Sequence, residues 1–371
     1  MTPPTSNNVR KQNGIAIITV LLIIALMITL LGLLVEQQYL LVRRIGNQNV
    51  SEQSLQYAAG VDAWAARVLF DDPDRTIDYW GEDWAIFGDP PRLKTEGESR
   101  EFSLDLSSQQ EREELPKIDF GFSGLEYKIE DLSGRFNLNN LANADPALGP
   151  GQKQIFINLL DVLEIGEFDT RNELYDSLVD WLDSNKASHA LGKESDDYRS
   201  LSTPYFAADQ KLTSLGELRF VNGFTERIIT TLMPYVTVLP IENARININT
   251  TSSEVLSSLA SSKVIDISSV DSFLSLRQDK AFLGYQPAEI ETAKTAIIGT
   301  SPNPQGSGII ENMMQTNSQY FQITTRINLG DYVYCTQTKV RRDNPNQAAN
   351  TSAKVTILNR QHDTLCNEIV H

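Results

Sequence analysis

The chain has 371 residues, 41% of them hydrophobic, enough to bury one or two sizeable cores. Its formal net charge of −16 opposes contact with nucleic-acid phosphates and with anionic lipid headgroups, both of which are held through Lys and Arg. Only three histidines and two cysteines occur, so His-based catalysis and Cys-rich transition-metal sites are poorly supplied.

Residues 15–35 carry no charge, and their only polar side chains are Thr19 and Thr29. About 20 such residues rise roughly 30 Å as a helix, enough to span a bilayer core. Thr hydroxyls can bond back to helix carbonyls without spoiling the span. Arg10 and Lys11 precede the run and Glu36 is the first charge after it, so the short head is expected in the cytoplasm and the rest exported. A cleaved secretory signal needs a shorter apolar core and a small-x-small site, which Leu33-Leu34-Val35-Glu36 does not provide. Two readings stand. One is a plain signal anchor. The other rests on Gly14, at the junction between a basic polar leader and the apolar run, an arrangement that resembles the type IV prepilin signal. That resemblance implies cleavage after Gly14 and methylation of a new N-terminus at Ile15. Loss of the leader takes the charge from −16 to about −18. Thr19, fifth in the mature chain, departs from the Glu that most pilins carry there.

Residues 36–70 lack Pro, and Leu40, Leu41, Ile45, Leu55, Ala58, Ala59, Ala65, Val68 and Leu69 form a broken apolar stripe, so the helix is expected to continue. Residues 46–53 make a polar patch, expected to be exposed or frayed, and Pro73 ends the helix. Alternation predicts strands at 100–106 and 125–132. From 151 to 300 the apolar spacing turns helical, as at Ile155, Phe156, Leu159, Leu160 and Leu163, then Leu174, Leu178 and Leu182. Further helices are expected at 214–219 and 225–233, and Ser252, Ser253 and Glu254 read as the cap and first turn of another. After a Pro/Gly-bearing linker at 302–308, strands are expected at 320–328, 332–341 and 353–359.

Between these groups stands Asp131-Leu132-Ser133-Gly134-Arg135-Phe136-Asn137-Leu138-Asn139-Asn140-Leu141. From the residues alone, its Asn side chains suit a turn that closes a strand. With the prepilin-like start and Thr19, this run resembles type II secretion system protein K (the GspK family), the largest minor pseudopilin. Matching segments follow in order around Asp180, Trp181 and Asp183, then Glu194, Asp196 and Asp197, then Pro204 and Tyr205, then Leu215 to Gly223, and finally Ile246, Asn247, Asn249 and Thr250.

The resemblance implies an α+β fold: a long N-terminal transmembrane helix and a pilin-like α/β domain with a large all-helical domain inserted between its strands. The corresponding parts are a prepilin leader at 1–14, the N-terminal helix at 15–70 with 15–35 transmembrane, the pilin-like domain at 71–145 and 301–371, and the helical insertion at 146–300. It further implies a non-enzymatic subunit of the inner membrane, single-pass, with its globular part in the periplasm. Such a subunit sits at the tip of the pseudopilus, with the minor pseudopilins I, J and H and the prepilin peptidase as partners. Thr19 fits a tip subunit, having no carboxylate to offer a subunit above it. Secreted proteins are a further potential partner, and no nucleic acid is expected. The alternatives are a tip subunit of a type IV pilus, or an exported helix-hairpin-helix DNA-binding protein, since 215–232 and 247–250 resemble such hairpins.

The chemistry concentrates in one acidic stretch. Asp180, Asp183 and Asn185 close one helix, and Glu194, Asp196 and Asp197 follow across a loop bearing Gly192. Ca²⁺ takes 6–8 oxygens and a flexible loop can supply them, but the spacing is not that of an EF-hand, and a solvated acidic loop reads equally from the residues. The resemblance implies Ca²⁺, with Asp180, Asp183, Asn185, Glu194 and Asp197 as candidate ligands; Asn185 stands where a carboxylate is common in the family. His189 is expected to be an exposed loop residue. No nucleophile–base constellation or Gly-rich phosphate loop is present. Cys335 and Cys366 fall on or beside neighbouring predicted strands, where an exported chain would bridge them; two buried thiols are the other reading.

Overall fold

The computed structural model describes residues 13–86, 124–143, 145, 148–259, 270, 274, 313–329, 332–343 and 353–363. The expected strand at 100–106, the 302–308 linker and Cys366 lie outside them. In chain order the elements are α1 Asn13–Asp71, α2 Asp83–Ile86, β1 Leu125–Asp131, β2 Phe136–Asn137, α3 Gly149–Val162, α4 Phe168–Leu182, α5 Ser195–Arg199, α6 Glu226–Leu232, β3 Val236–Thr237, β4 Ile246–Asn247, α7 Ser253–Ser258, β5 Met314–Gln315, β6 Tyr320–Leu329, β7 Tyr332–Asp343 and β8 Lys354–Asp363. Turns of 3-10 helix lie at Leu132–Gly134, Leu138–Ala142 and Leu215–Phe220.

Helix α1 is unbroken and extends about 88 Å. Its segment Ala16–Asp71 contains a stretch apolar enough to cross a membrane. Thr19 Oγ1 donates to Ala16 O at 2.9 Å and Thr29 Oγ1 to Ala25 O at 2.9 Å, so both hydroxyls are satisfied within the helix. The polar patch at 46–53 is helical and largely exposed. Beyond it the helix lies on the sheet through Ser54, Ala58, Val61, Asp62, Ala65, Val68 and Leu69, which are buried at three- and four-residue spacing. Leu40, Leu41, Ile45 and Leu55 instead face outward, as does Ala59. The C-terminal part of the helix packs on the sheet, where Ala58, Ala65, Val68 and Leu69 of the expected stripe are buried while Leu55 and Ala59 are not.

Strands β1, β6, β7 and β8 form an antiparallel sheet in that order. Ile129, Phe321, Ile323 and Val340 from the sheet pack with Val61, Ala65, Val68 and Leu69 of α1 and with Trp84 of α2. At the far end of α1, Asp62 takes Thr338 Oγ1 at 3.0 Å and Arg360 Nη2 at 2.5 Å, tying the helix to β7 and β8.

Because β1 and β6 are neighbours, residues 132–319 leave and return at one place in the sheet. Within that stretch α3, α4, α6 and α7 surround a second core that includes Phe156, Leu159, Leu178, Trp181, Leu232 and Leu256. Two parallel pairs, β2–β3 and β4–β5, supplement the helices. The helix expected at 214–219 is a 3-10 turn, opened by Ser214 and Glu217 as a capping box and ended where Val221 becomes extended. Ser252 caps α7 as expected, accepting from Val255 N at 3.3 Å.

The Asn-rich run does more than close a local turn. Asn137 Oδ1 accepts from Leu239 N at 2.9 Å, Asn139 brackets Leu212 through its N–H and carbonyl, and Asn140 does the same to Ala244. All three are buried, and each satisfies backbone groups about 70–105 residues away that no strand pairs. Phe136, Leu138 and Leu141 join the insertion core, so 71–145 contributes to both cores.

Candidate metal centre

The acidic stretch begins at the C-terminal end of α4. Asp180 is fully buried, and both of its carboxylate oxygens accept from His189 N at 3.1 Å. Ser188 Oγ reaches Oδ2 at 3.3 Å, and His189 Nδ1 lies against Oδ1. Asp183 caps the helix, its N–H donating to Val179 O at 2.9 Å. Two Asx turns follow: Asp183 Oδ1 accepts from Asn185 N at 3.0 Å, and Asn185 Oδ1 from Ala187 N at 2.7 Å. Gly192 closes the loop, because a Cβ there would lie 1.8 Å from Asp180 Oδ2 and 3.0 Å from Asp176 O.

Glu194 caps α5 with one oxygen, while its buried Oε1 has no hydrogen-bond partner. Asp209, from the 207–211 segment, likewise leaves a buried Oδ1 unpartnered. Burial raises the Glu194 pKa, and the charges of Asp180, Asp183 and Asp209 push it further the same way. Burial also raises Asp183, with Asp180 adding to the effect. Among the described residues no Lys or Arg pairs with Asp180, Asp183, Glu194 or Asp209. Orphaned carboxylate oxygens facing uncompensated negative charge fit a hard divalent cation, which supplies the missing positive charge and binds oxygen donors.

The structure therefore brings together Asp180, Asp183 and Glu194 of the expected set. Asn185 is exposed, with its side-chain oxygen engaged by Ala187. Asp197 is turned to the cap of α5, accepting from Glu194 N at 3.1 Å, with Lys193 Nζ at 3.9 Å. His189, read as a loop residue, is 41% exposed at its side chain yet holds Asp180 through both amide and ring. Asp209 was not legible in the sequence; its φ of +48° marks a constrained turn that only the fold reveals.

The hairpin at 215–232 uses its amides internally. Asn222 N donates to Tyr198 Oη at 3.1 Å, Phe224 N to Val221 O at 3.3 Å and Thr225 N to Gly223 O at 3.0 Å, which removes donors that a phosphate would need. Cys335 is buried in β7 and disulfide-bonded.

A model of type II secretion system protein K matches residues 134–241, a span that holds both the Asn run and the acidic cluster. The type II secretion system protein K of Pseudomonas aeruginosa is 30% identical over 331 residues, covering 87% of this chain and 86% of the relative. This chain belongs to the type II secretion system protein K family. The protein K of Aeromonas hydrophila is 27% identical, covering 87% and 90% of the two chains. A protein K fold is also seen in the crystal structure of the GspK-GspI-GspJ complex from enterotoxigenic Escherichia coli. A chain there superposes with a TM-score of 0.60 at 21% identity, covering 86% of this chain and 99% of that one. As a protein K, the molecule is a minor pseudopilin, a structural component of the type II secretion system.

Proposed function

We propose that this protein K subunit helps initiate the periplasmic pseudopilus and occupies its tip. The observation that carries the tip reading is Thr19: its hydroxyl donates to Ala16 O within its own helix, so it offers no charge to the N-terminus of a subunit stacked above. Below it, Tyr39, Leu40, Leu41, Val42 and Ile45 are exposed on α1 beyond the reach of the sheet, an apolar surface suited to packing against neighbouring helices. The similar Escherichia coli chain was solved with GspI and GspJ, which supports I and J as this subunit's partners, with H next.

In this reading a prepilin peptidase cuts after Gly14 and methylates Ile15, the apolar part of α1 anchors in the inner membrane, and the globular parts lie in the periplasm. The five segments at 1–14, 15–70, 71–145, 146–300 and 301–371 keep their assigned roles, and the protein acts by assembly rather than catalysis. The bound cation is Ca²⁺, held by Asp180, Asp183 and Glu194 with Asp209. It supplies the positive charge that joins the end of α4 to the 207–211 segment. The exported location also favours a bridge between Cys335 and Cys366, the chain's two cysteines.

The N-terminal peptide tests the prepilin reading: a mass beginning at methylated Ile15 is expected only in cells that have the peptidase, and an intact N-terminus in both strains would overturn it. The tip reading is tested by co-purifying the full-length chain with I and J from detergent; failure to associate would sink it.

A further inference from the structure

A second group of carboxylates sits where the sheet, the insertion and the end of α1 meet. Arg342 of β7 is fully buried over the ring of Phe321. It binds Asp72, just past α1, and both oxygens of Asp78 at 2.6 Å. Asp78 also accepts from Ser318 N at 2.6 Å. Asp131, at the end of β1, accepts from Ser133 N, Thr250 Oγ1, Ser318 Oγ and Asn247 Nδ2 at 2.5–3.1 Å. Gly134 allows this approach, since a Cβ there would lie 2.9 Å from Thr250 Oγ1. Glu82 completes the group, with carboxylate oxygens of Asp72, Asp78 and Glu82 all within 4.8 Å of one another.

Four carboxylates thus gather around one guanidinium. Arg342 answers Asp72 and Asp78, and four donors answer Asp131. Among the described residues, Glu82 has only Trp84 Nε1 at 2.6 Å and Tyr79 N at 3.3 Å as donors. The groups facing it are Asp72 at the end of α1, Asp78 in its own loop, and behind Asp78 both Arg342 of β7 and Asp131 of β1.

We propose that this junction is a proton-operated clasp: Glu82 carries a proton while the junction is closed and releases it to water when the junction opens. Like charges this close disfavour a fourth ionised carboxylate, and a neutral carboxyl removes the repulsion. Burial, then Asp78, pushes the Glu82 pKa from 4.5 up to about 8, and burial raises Asp78 to about 7 despite Arg342. A carboxyl raised in the folded state binds its proton more tightly there than in the open chain. Its contribution is therefore full in acid and is lost as pH rises from about 4.5 through about 8. Opening would free the insertion from α1 and the sheet, because Asn247, Thr250 and Ser318 all enter through this group.

The test uses full-length protein in detergent. Melting of wild type and Glu82→Gln is followed from pH 6 to 9. The Gln variant, which mimics the protonated carboxyl, should already melt higher than wild type at pH 6, and its advantage should grow by roughly 5 °C between pH 6 and pH 9. A difference that does not change with pH would overturn the proposal. Hydrogen exchange in wild type supplies an independent readout: after correction for intrinsic rates, the Ser318 amide should lose protection roughly tenfold or more from pH 6 to 9. Unchanged protection would equally overturn it.

Discussion

Two clusters of carboxylates among the described residues meet the same electrostatic problem differently. At the junction, Arg342 brings a cation on the chain itself, and the Ser133 amide with the side chains of Asn247, Thr250 and Ser318 satisfies Asp131. In the acidic loop of the insertion, Asp180 is held by His189 and Ser188, while Glu194 and Asp209 each leave an oxygen without a donor. The first group carries its own cation, whereas the second leaves buried carboxylate oxygens that no donor among the described residues reaches. A cluster of acids therefore indicates a ligand through the atoms left over after the protein's own donors are counted, not through the number of carboxylates.

The largest effect should come from taking the internal cation away. Arg342→Met leaves Asp72 and Asp78 buried without a counter-charge and should destabilise the full-length protein by about 3–5 kcal/mol in urea unfolding. A loss under about 1 kcal/mol would mean that the junction is not held by charge. Next comes the external cation. Chelation should lower the melting temperature and calcium should restore it, with about 2.7 kcal/mol of stabilisation when calcium is 100 times its Kd. Asp180→Asn should remove the response, whereas no shift at saturating calcium in wild type would end the metal reading. The smallest effects separate two residues of the loop. Asp209→Asn should weaken calcium binding about tenfold, a difference of about 1.4 kcal/mol, measured by titration calorimetry. Asp197→Ala should lose only the cap, about 1 kcal/mol, with calcium affinity unchanged. The reverse pattern would return Asp197 to the ligand set and remove Asp209 from it.

Much of this architecture was legible along the chain because local chemistry decides it. An uncharged run with two self-satisfied threonines specifies a helix long and apolar enough to span a membrane, and Pro73 stops it. Alternation found β1, β6, β7 and β8 to within a few residues, and the capping signal at Ser252 marked where α7 begins. The Asp180, Asp183 and Glu194 carboxylates stood out for the same reason, being close in sequence as well as in space.

Tertiary structure decided what depends on partners distant in the chain. The sequence by itself could not tell that Leu55 would face outward and Ser54 inward, because both lie on a helix whose buried side is chosen by the sheet. Nor could it show that Asn137, Asn139 and Asn140 serve backbone groups near 212 and 239–244, or that Asp209 lies near Glu194. Arg342 carries no local mark of burial, and only the convergence of Asp72, Asp78 and Ser318 makes its burial tolerable. Secondary structure follows from spacing over a few residues, whereas burial and charge balance follow from which distant segments the fold brings together.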